Sequence, residues 1–180
     1  MDNRNISTLR RPAATGHPPG YGSSTVYLRD ATIGDLDAIN AVVAAAMQTW
    51  GLSERVLRLS LPLYRYAPED LRHQQLLLAE GDNGTVIGMA AFETAEASPA
   101  AEHRKTALLH GIYIDPRHHR RGVGTRLLAR VEASARQQGF DGLLSKANPA
   151  ATGFFETRGF ECLPIVDSKI DYPYRYWKKL

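Results

Sequence analysis

The chain of 180 residues has one cysteine, Cys162, and no apolar run that approaches the ~18 residues of a membrane span. An internal disulfide framework is therefore excluded, and a lone thiol suits a reducing compartment, so we expect a cytoplasmic protein. The N-terminus also lacks the hydrophobic region of a secretory signal. The net charge is only +3, and the basic residues concentrate in one loop. We therefore expect neither a membrane nor a nucleic acid as a partner.

The remaining composition is that of an ordinary globular protein, with 43% apolar and 23% charged residues. Residues 1–22 are rich in Pro, Gly, Arg, Ser and Thr and have no periodicity, which predicts a disordered leader. Residues 23–180 are long enough to bury a sizeable core. We expect them to form a single domain.

Hydrophobic periodicity predicts an alternation of strands and helices. Strands are predicted over residues 25–29, 75–80, 85–94, 106–115, 142–146, 160–166 and 174–179. Helices are predicted over residues 33–47, 53–60, 121–138 and 148–158, with a further helix start at Pro68. The segment from Gly81 to Gly84 predicts a hairpin turn. This order predicts an α/β fold with a mixed central sheet of about six to seven strands flanked by helices.

The most informative stretch is residues 111–128, where an apolar strand leads through Pro116 into a basic loop. The loop passes Gly122 and Gly124 and enters an amphipathic helix. Glycine lets the backbone approach a ligand closely, and the first N–H groups of a helix have no internal partner. Residues 117–130 contain five arginines and no acidic residue. The pattern predicts a backbone cradle for an anion such as a pyrophosphate.

Other phosphate motifs fit this loop less well. A P-loop requires a lysine after the second glycine, where this chain has Thr125. A dinucleotide fingerprint requires a third glycine, where Leu127 stands, and its turn is tighter than the six residues between Asp115 and Gly122. Asp141 does lie at a plausible distance for a ribose partner. The glycine pair alone does not exclude an ordinary basic loop at a helix start.

Two motifs in the right order resemble those of the GCN5-related N-acetyltransferase (GNAT) superfamily. The first is Arg120-Arg121-Gly-Val-Gly-Thr after a strand, which resembles the acetyl-CoA motif Gln/Arg-x-x-Gly-x-Gly/Ala. The second is Asn148 followed by Phe154-Phe155-Glu156 and then Arg158-Gly159-Phe160, which resembles the ending F-Y-E-x-x-G-F. The resemblance runs from about residue 25 to residue 179 and is strongest over 106–160. It implies the GNAT fold and an acetyl-CoA-dependent N-acetyltransferase that needs no metal.

The resemblance also implies roles for individual residues. The backbone from Arg120 to Thr125 would hold the pyrophosphate, and the edge of Ile112–Ile114 would pair with the pantetheine arm. In the family this strand splays from its neighbour, the thioester sits in the gap, and a backbone N–H there would stabilise the tetrahedral oxyanion. Asn148 would contact the pantetheine region. The implied cofactor-binding residues are Ile112, Tyr113, Ile114, Arg120, Arg121, Gly122, Val123, Gly124, Thr125, Asn148 and Phe155.

The chain departs from the family pattern at two positions. His119 stands at the usual Gln/Arg position, which matters little if the cradle works through backbone groups. Phe155 stands where many members have the tyrosine that protonates the leaving thiolate, and phenylalanine has no proton to donate. Releasing a thiol of pKa ~8.5 as thiolate at pH 7 costs only about 2 kcal/mol, so activity without this acid is expected to survive. Tyr113 is an alternative donor, although a buried structural role is the simpler interpretation.

His110, on the central strand, is the first candidate for the base that takes the proton of the amine. Histidine suits this role because imidazole ordinarily titrates at about pH 6.5. Glu93, on the preceding strand, is the second candidate. A hydrogen-bonded structural histidine and a solvated strand end are the competing interpretations, and a water chain without a single base is also open. The adjacent His118 and His119 lack a third ligand at recognisable spacing, so we expect no metal.

The acceptor is expected to be an amine, either a small molecule or a peptide. In the family, the acceptor site is usually built from the first two helices, the loop after them and the C-terminal strands. Aromatic and basic residues cluster in these segments of the chain, and they form either an acceptor pocket or merely core and dimer contacts. They are Trp50, Tyr64, Arg65, Tyr66, Tyr172, Tyr174 and Tyr176. A homodimer is a common habit of the family. Because of Phe155, a catalytically weak acyl-CoA sensor is the alternative to an enzyme, and a nucleic-acid binder is a third hypothesis.

Overall fold

The computed structural model describes residues 25–95, 105–169 and 171–180. The leader predicted over residues 1–22 lies outside the described residues. Within them, seven strands form one sheet in the order β1-β2-β3-β4-β5-β7-β6. Their bounds are β1 Tyr27–Asp30, β2 Gln75–Glu80, β3 Val86–Thr94, β4 Thr106–Ile114, β5 Gly142–Lys146, β6 Glu161–Cys162 and β7 Arg175–Lys179. The pair β4–β5 is parallel and the other neighbours are antiparallel, which confirms the predicted mixed sheet.

Five α-helices accompany the sheet in the described part of the chain: α1 Leu36–Met47, α2 Glu54–Ser60, α3 Asp70–His73, α4 Val123–Gln137 and α5 Thr152–Glu156. Short 3-10 turns extend several of them. Ser53 caps α2, because its hydroxyl accepts a hydrogen bond from the N–H of Val56. After α4, Gly139 takes a left-handed φ of 74°, a conformation that stops a helix without strain. None of the helices in the described residues is both long and apolar enough to cross a membrane.

The two faces of the sheet carry separate hydrophobic clusters. On one face, α4 and α5 pack through Leu127, Val131 and Phe155 against apolar residues of the sheet. On the other face, α1 packs through Ile39 and Val43 against β2 and β3. Burying apolar surface on both faces explains why β2 and β3 are almost continuously apolar rather than alternating.

The observed ends of several elements differ from the predicted ones, as three of them show. The helix predicted from residue 121 begins at Val123, because Gly122 takes a φ of 78° that cannot continue a helix. The segment predicted as a helix over 148–158 is a 3-10 turn, Pro149–Ala151, followed by the short α5. The strand predicted over 160–166 is limited to Glu161–Cys162, and Pro164, which has no N–H, follows soon after.

Candidate active site

The sheet opens between its two parallel strands. Strand β4 pairs with β5 from Thr106 to Leu109, where Leu109 lies opposite Ser145. Beyond that point, within the described residues, β4 continues to Ile114 without a β5 partner. Such an unpaired strand edge offers backbone hydrogen-bonding groups to an extended ligand. The splayed strand that the family resemblance implied is therefore present.

A cavity of about 1080 Å³ occupies this opening, slightly above the usual range for ligand pockets. Its walls include Val123 and Phe155, which belong to the cluster under α4 and α5. They also include Ala46 and Tyr113, which belong to the cluster under α1. The cavity therefore passes through the sheet at the parting of β4 and β5 and connects its two faces.

The cradle loop forms one wall of the cavity. Arg120 has a φ of 59° and Gly122 a φ of 78°, so two left-handed residues turn the chain just before α4 begins. The first backbone acceptor in the helix is the carbonyl of Gly122, which receives the N–H of Arg126. Among the described residues, the N–H groups of Val123, Gly124 and Thr125 have no acceptor. These groups lie at the positive end of the helix dipole and lead into the cavity, which is the arrangement of an anion site.

Side chains at the end of β4 hold the cradle loop in place. The buried carboxylate of Asp115 accepts hydrogen bonds from the backbone N–H of Arg117 at 2.9 Å and from its guanidinium at 2.6 Å. The hydrogen bond from Arg117 lowers the pKa of Asp115 to about 2, so the carboxylate stays charged at neutral pH. The ring Nε2 of His119 lies 3.1 Å from the carbonyl oxygen of Ile114 and, as the donor, ties the loop to the strand. His119, at the position where the motif usually has Gln or Arg, thus braces the loop.

The charged groups in the cavity wall are cationic. Arg158 donates a hydrogen bond of 2.7 Å to the hydroxyl of Thr125 in the first turn of α4, and its guanidinium lies 5.4 Å from the ring centre of Phe154. Its Nε is buried with no partner among the described residues. Arg120 and Lys146 are the other charged side chains of the lining. Among the described lining residues there is no Asp or Glu, so the wall favours an anionic ligand.

His110 and Glu93 are brought together by a β-bulge. The register of β3 against β4 shifts between Ala91 and Phe92, which leaves His110 as the extra residue on β4. Because of this shift, Leu109 and Ile112 pack on the same face although they are three residues apart. The ring Nε2 of His110 lies 2.7 Å from Oε1 of Glu93. Since a carboxylate only accepts, Nε2 is the donor, and in the neutral form of the ring Nδ1 is the nitrogen with a lone pair.

Phe155 lies both in the core and at the cavity. Its ring stacks on Tyr176 at 5.9 Å between centres and meets Phe160 edge-on at 5.2 Å. The hydroxyl of Tyr176 donates to Glu156 at 2.8 Å, and this bond raises the pKa of Tyr176 to about 12. Tyr176 does not line the cavity, so it offers no replacement for the missing acid. Tyr113 does line it, but burial raises the pKa of its phenol far above the ordinary value.

The cavity collects most of the residues predicted for the site. The following predicted residues line it: His110, Ile112, Tyr113, Ile114, Arg120, Gly122, Val123, Gly124, Thr125, Asn148 and Phe155. Arg121 and Glu93 do not line it, and Glu93 reaches it only through His110. The side-chain oxygen of Asn148 accepts the N–H of Ala150 at 2.9 Å, so its NH₂ group is the part left for a ligand.

Sequence reasoning missed several residues of this wall, among them Arg158, Lys146 and Ser145. Arg158 lies inside the second motif, directly before Gly159-Phe160, and this position could have indicated a site residue. Ser145 has no such signal: its hydroxyl, 3.4 Å from the carbonyl oxygen of Leu109, lies buried where β4 and β5 part. In the residues that the structure describes, no group of three or more His, Cys, Asp or Glu side chains is arranged to hold a metal ion.

Solved structures of acetyltransferases share this fold. The PaiA N-acetyltransferase of Thermoplasma acidophilum, solved in complex with coenzyme A, is 17% identical, with 87% of this chain and 99% of that chain covered and a TM-score of 0.70. A GNAT family acetyltransferase of Brucella melitensis in complex with acetyl-CoA is 20% identical, covering 87% and 88%, with a TM-score of 0.60. A GCN5-related N-acetyltransferase of Rhodopseudomonas palustris is 22% identical, covering 87% and 97%, with a TM-score of 0.66. A search of curated protein sequences found no match.

The fold is therefore that of an N-acetyltransferase. The model of the acetyltransferase (GNAT) family matches residues 40–160, two thirds of the chain, and the chain belongs to this family. This confirms the predicted superfamily and its sheet architecture.

Proposed function

We propose that the protein transfers the acetyl group of acetyl-CoA to a primary amine by direct attack on the thioester. The observation that carries the proposal is that one cavity joins three parts: the cradle at Gly122–Thr125, the open edge of β4 and His110, whose ring contacts Glu93. Acetyl-CoA in complex with the relative from Brucella melitensis supports the same co-substrate here.

The cavity wall fits a CoA molecule chemically. The free N–H groups of Val123, Gly124 and Thr125 and the cation of Arg158 would bind phosphate oxygens. The backbone of Ile112–Ile114 would pair with the amides of the pantetheine arm. The NH₂ group of Asn148 would donate to the same arm. This assignment accounts for the absence of acidic residues from the described lining of the cavity.

His110 would act as the base. The amine nitrogen attacks the thioester carbon, a C–N bond forms, the C–S bond breaks and CoA leaves as thiolate. The proton of the amine passes to Nδ1 of His110, while Glu93 holds the proton on Nε2 and stabilises the imidazolium. A backbone N–H at the open edge of β4 would stabilise the developing oxyanion. The thiolate takes its proton from water, because Phe155 has none to give.

The proposal is tested by titrating the protein with CoA in a calorimeter and by following thiol release from acetyl-CoA with and without a panel of primary amines. We expect CoA to bind and thiol release to depend on the amine. Release at the same rate without amine would contradict transfer to an amine. CoA binding without amine-dependent release would favour the sensor instead of the enzyme.

Substitution of Phe155 by tyrosine tests whether a hydroxyl at this position can protonate the leaving thiolate. We expect kcat of Phe155→Tyr to rise by up to about 30-fold. The reason is that a tyrosine which protonates the leaving sulfur removes the cost of about 2 kcal/mol for releasing CoA as thiolate. Phe160→Tyr is the matched control, because it adds the same hydroxyl to the same aromatic cluster but does not line the cavity. A lower melting temperature with unchanged kcat in both variants would show that the hydroxyl at position 155 points into the core.

A further inference from the structure

The part of the cavity on the α1 face has a different chemistry from the cradle. Four aromatic residues line it: Trp50, Tyr64, Tyr113 and Tyr172. Trp50 and Tyr113 stack with ring centres 6.3 Å apart and an angle of 28° between planes. Tyr64 meets Trp50 edge-on at 5.3 Å and 78°. The arrangement leaves Tyr64 and Tyr172 more than a third exposed, at 38% each.

Tight packing holds this aromatic wall in position. A methyl group on Gly111 would come within 2.5 Å of the ring of Tyr113, so the ring lies directly on the backbone of β4 next to His110. Trp50 ends the 3-10 turn that follows α1, and Gly51, with a φ of 68°, turns the chain away immediately after it. The hydroxyl of Tyr172 donates to the carbonyl of Ala147 at 3.0 Å. These contacts make a preformed surface of rings rather than a mobile rim.

Charge limits the acceptors that suit this wall. Among the described lining residues there is no carboxylate, and Lys146 adds a positive charge. A diamine or polyamine would bring a second ammonium group into this space without a counter-ion, which costs free energy. A single amine needs no carboxylate, because it reacts in its neutral form. Aromatic faces, in contrast, bind flat apolar groups by stacking and edge-on contacts.

We infer that the acceptor is a primary monoamine that carries a flat aromatic group. This inference rests on the proposed function, because it names the acceptor class of the same cavity. The ring of the acceptor packs against Trp50, Tyr64 and Tyr172, and its amine reaches the parting of β4 and β5 beside His110. Tyr113 forms the floor between the two.

The first experiment compares three amines as acceptors by thiol release from acetyl-CoA: 2-phenylethylamine, 2-cyclohexylethylamine and 1,4-diaminobutane. We expect kcat/KM for 2-phenylethylamine to exceed both others by about tenfold, since aromatic pairs add up to about 1.5 kcal/mol beyond area burial. Higher kcat/KM for the diamine, or equal values for the phenyl and cyclohexyl compounds, would overturn the inference while leaving the proposed function standing.

The second experiment removes rings one at a time. We expect Trp50→Leu and Tyr64→Leu each to raise KM for 2-phenylethylamine by about tenfold with an unchanged Kd for CoA. Tyr27→Leu is the control, because Tyr27 is an exposed aromatic on β1 that does not line the cavity. Tyr64→Phe keeps the ring, so it should retain most of the affinity for 2-phenylethylamine that Tyr64→Leu loses. Unchanged KM in both leucine variants would contradict the aromatic site.

Calorimetry of 2-phenylethylamine binding to the protein saturated with CoA keeps the two proposals separable. If none of the amines is acetylated, the proposed function is wrong. The aromatic site is then tested only by the binding of 2-phenylethylamine. Binding that weakens in Trp50→Leu supports the site, and the absence of binding to the unaltered protein overturns it.

Discussion

Replacing Gly124 by glutamate is expected to weaken CoA binding on the order of 100-fold. Gly124 lies in the first turn of α4, where its N–H is one of the three free donors of the cradle. A carboxylate there would face the phosphates, and two like charges at about 4 Å near a protein surface repel by about 4 kcal/mol before further screening. Flexibility of the glutamate reduces this to an expected loss of about 3 kcal/mol, or a factor of about 100.

The fold itself should tolerate the change at position 124. An added Cβ would lie 3.5 Å from Phe154 and 3.7 Å from Ile114, which are ordinary contact distances. Gly124→Gln, similar in size but uncharged, separates the effect of charge from that of bulk, and we expect it to retain most of the affinity. Gly153→Glu adds the same charge to α5, where a Cβ meets nothing within 4 Å. Equal CoA affinities for Gly124→Glu and Gly153→Glu, measured by calorimetry, would refute the cradle.

Removing the imidazole of His110 is expected to lower kcat by about 100-fold or more, because a positioned general base contributes a factor of this size. The Kd for CoA should stay unchanged, since the cradle lies on the other face of the sheet. His73→Ala, an exposed histidine of α3, is the matched control and should behave like the unaltered protein.

Glu93 is a positioning residue, and its variant should have a distinct signature. Glu93→Gln removes the charge that fixes the proton on Nε2 of His110, so we expect a smaller loss in kcat, about tenfold. The double variant should be no slower than His110→Ala, because Glu93 acts only through the imidazole. Additive losses would show that Glu93 works independently. Parallel losses of kcat, CoA affinity and melting temperature in His110→Ala would show that the histidine is structural.

Local sequence rules predicted much of the framework, and particular residues show why. Gly81–Gly84 predicted the β2–β3 hairpin. The helices predicted to end at residues 138 and 158 are followed by Gly139 and Gly159, which have left-handed φ values of 74° and 79°. These positions depend only on a few neighbouring residues. The strand predicted over 160–166 was longer than the observed Glu161–Cys162, because an apolar run does not reveal where hydrogen bonding to the neighbouring strand ends. Ser145 escaped attention for a similar reason, since its importance comes from lying where β4 and β5 separate.

The sequence by itself determined the anion cradle, because the strand end, the glycines and the helix start that build it are contiguous in the chain. It also determined the family through two motifs. Only the tertiary structure decided that His110 meets Glu93, since a one-residue bulge sets which face each strand residue occupies. Only the structure assembled Trp50, Tyr64, Tyr113 and Tyr172 around one cavity. Strand register and long-range packing control these placements, and neither is written in the spacing of nearby residues.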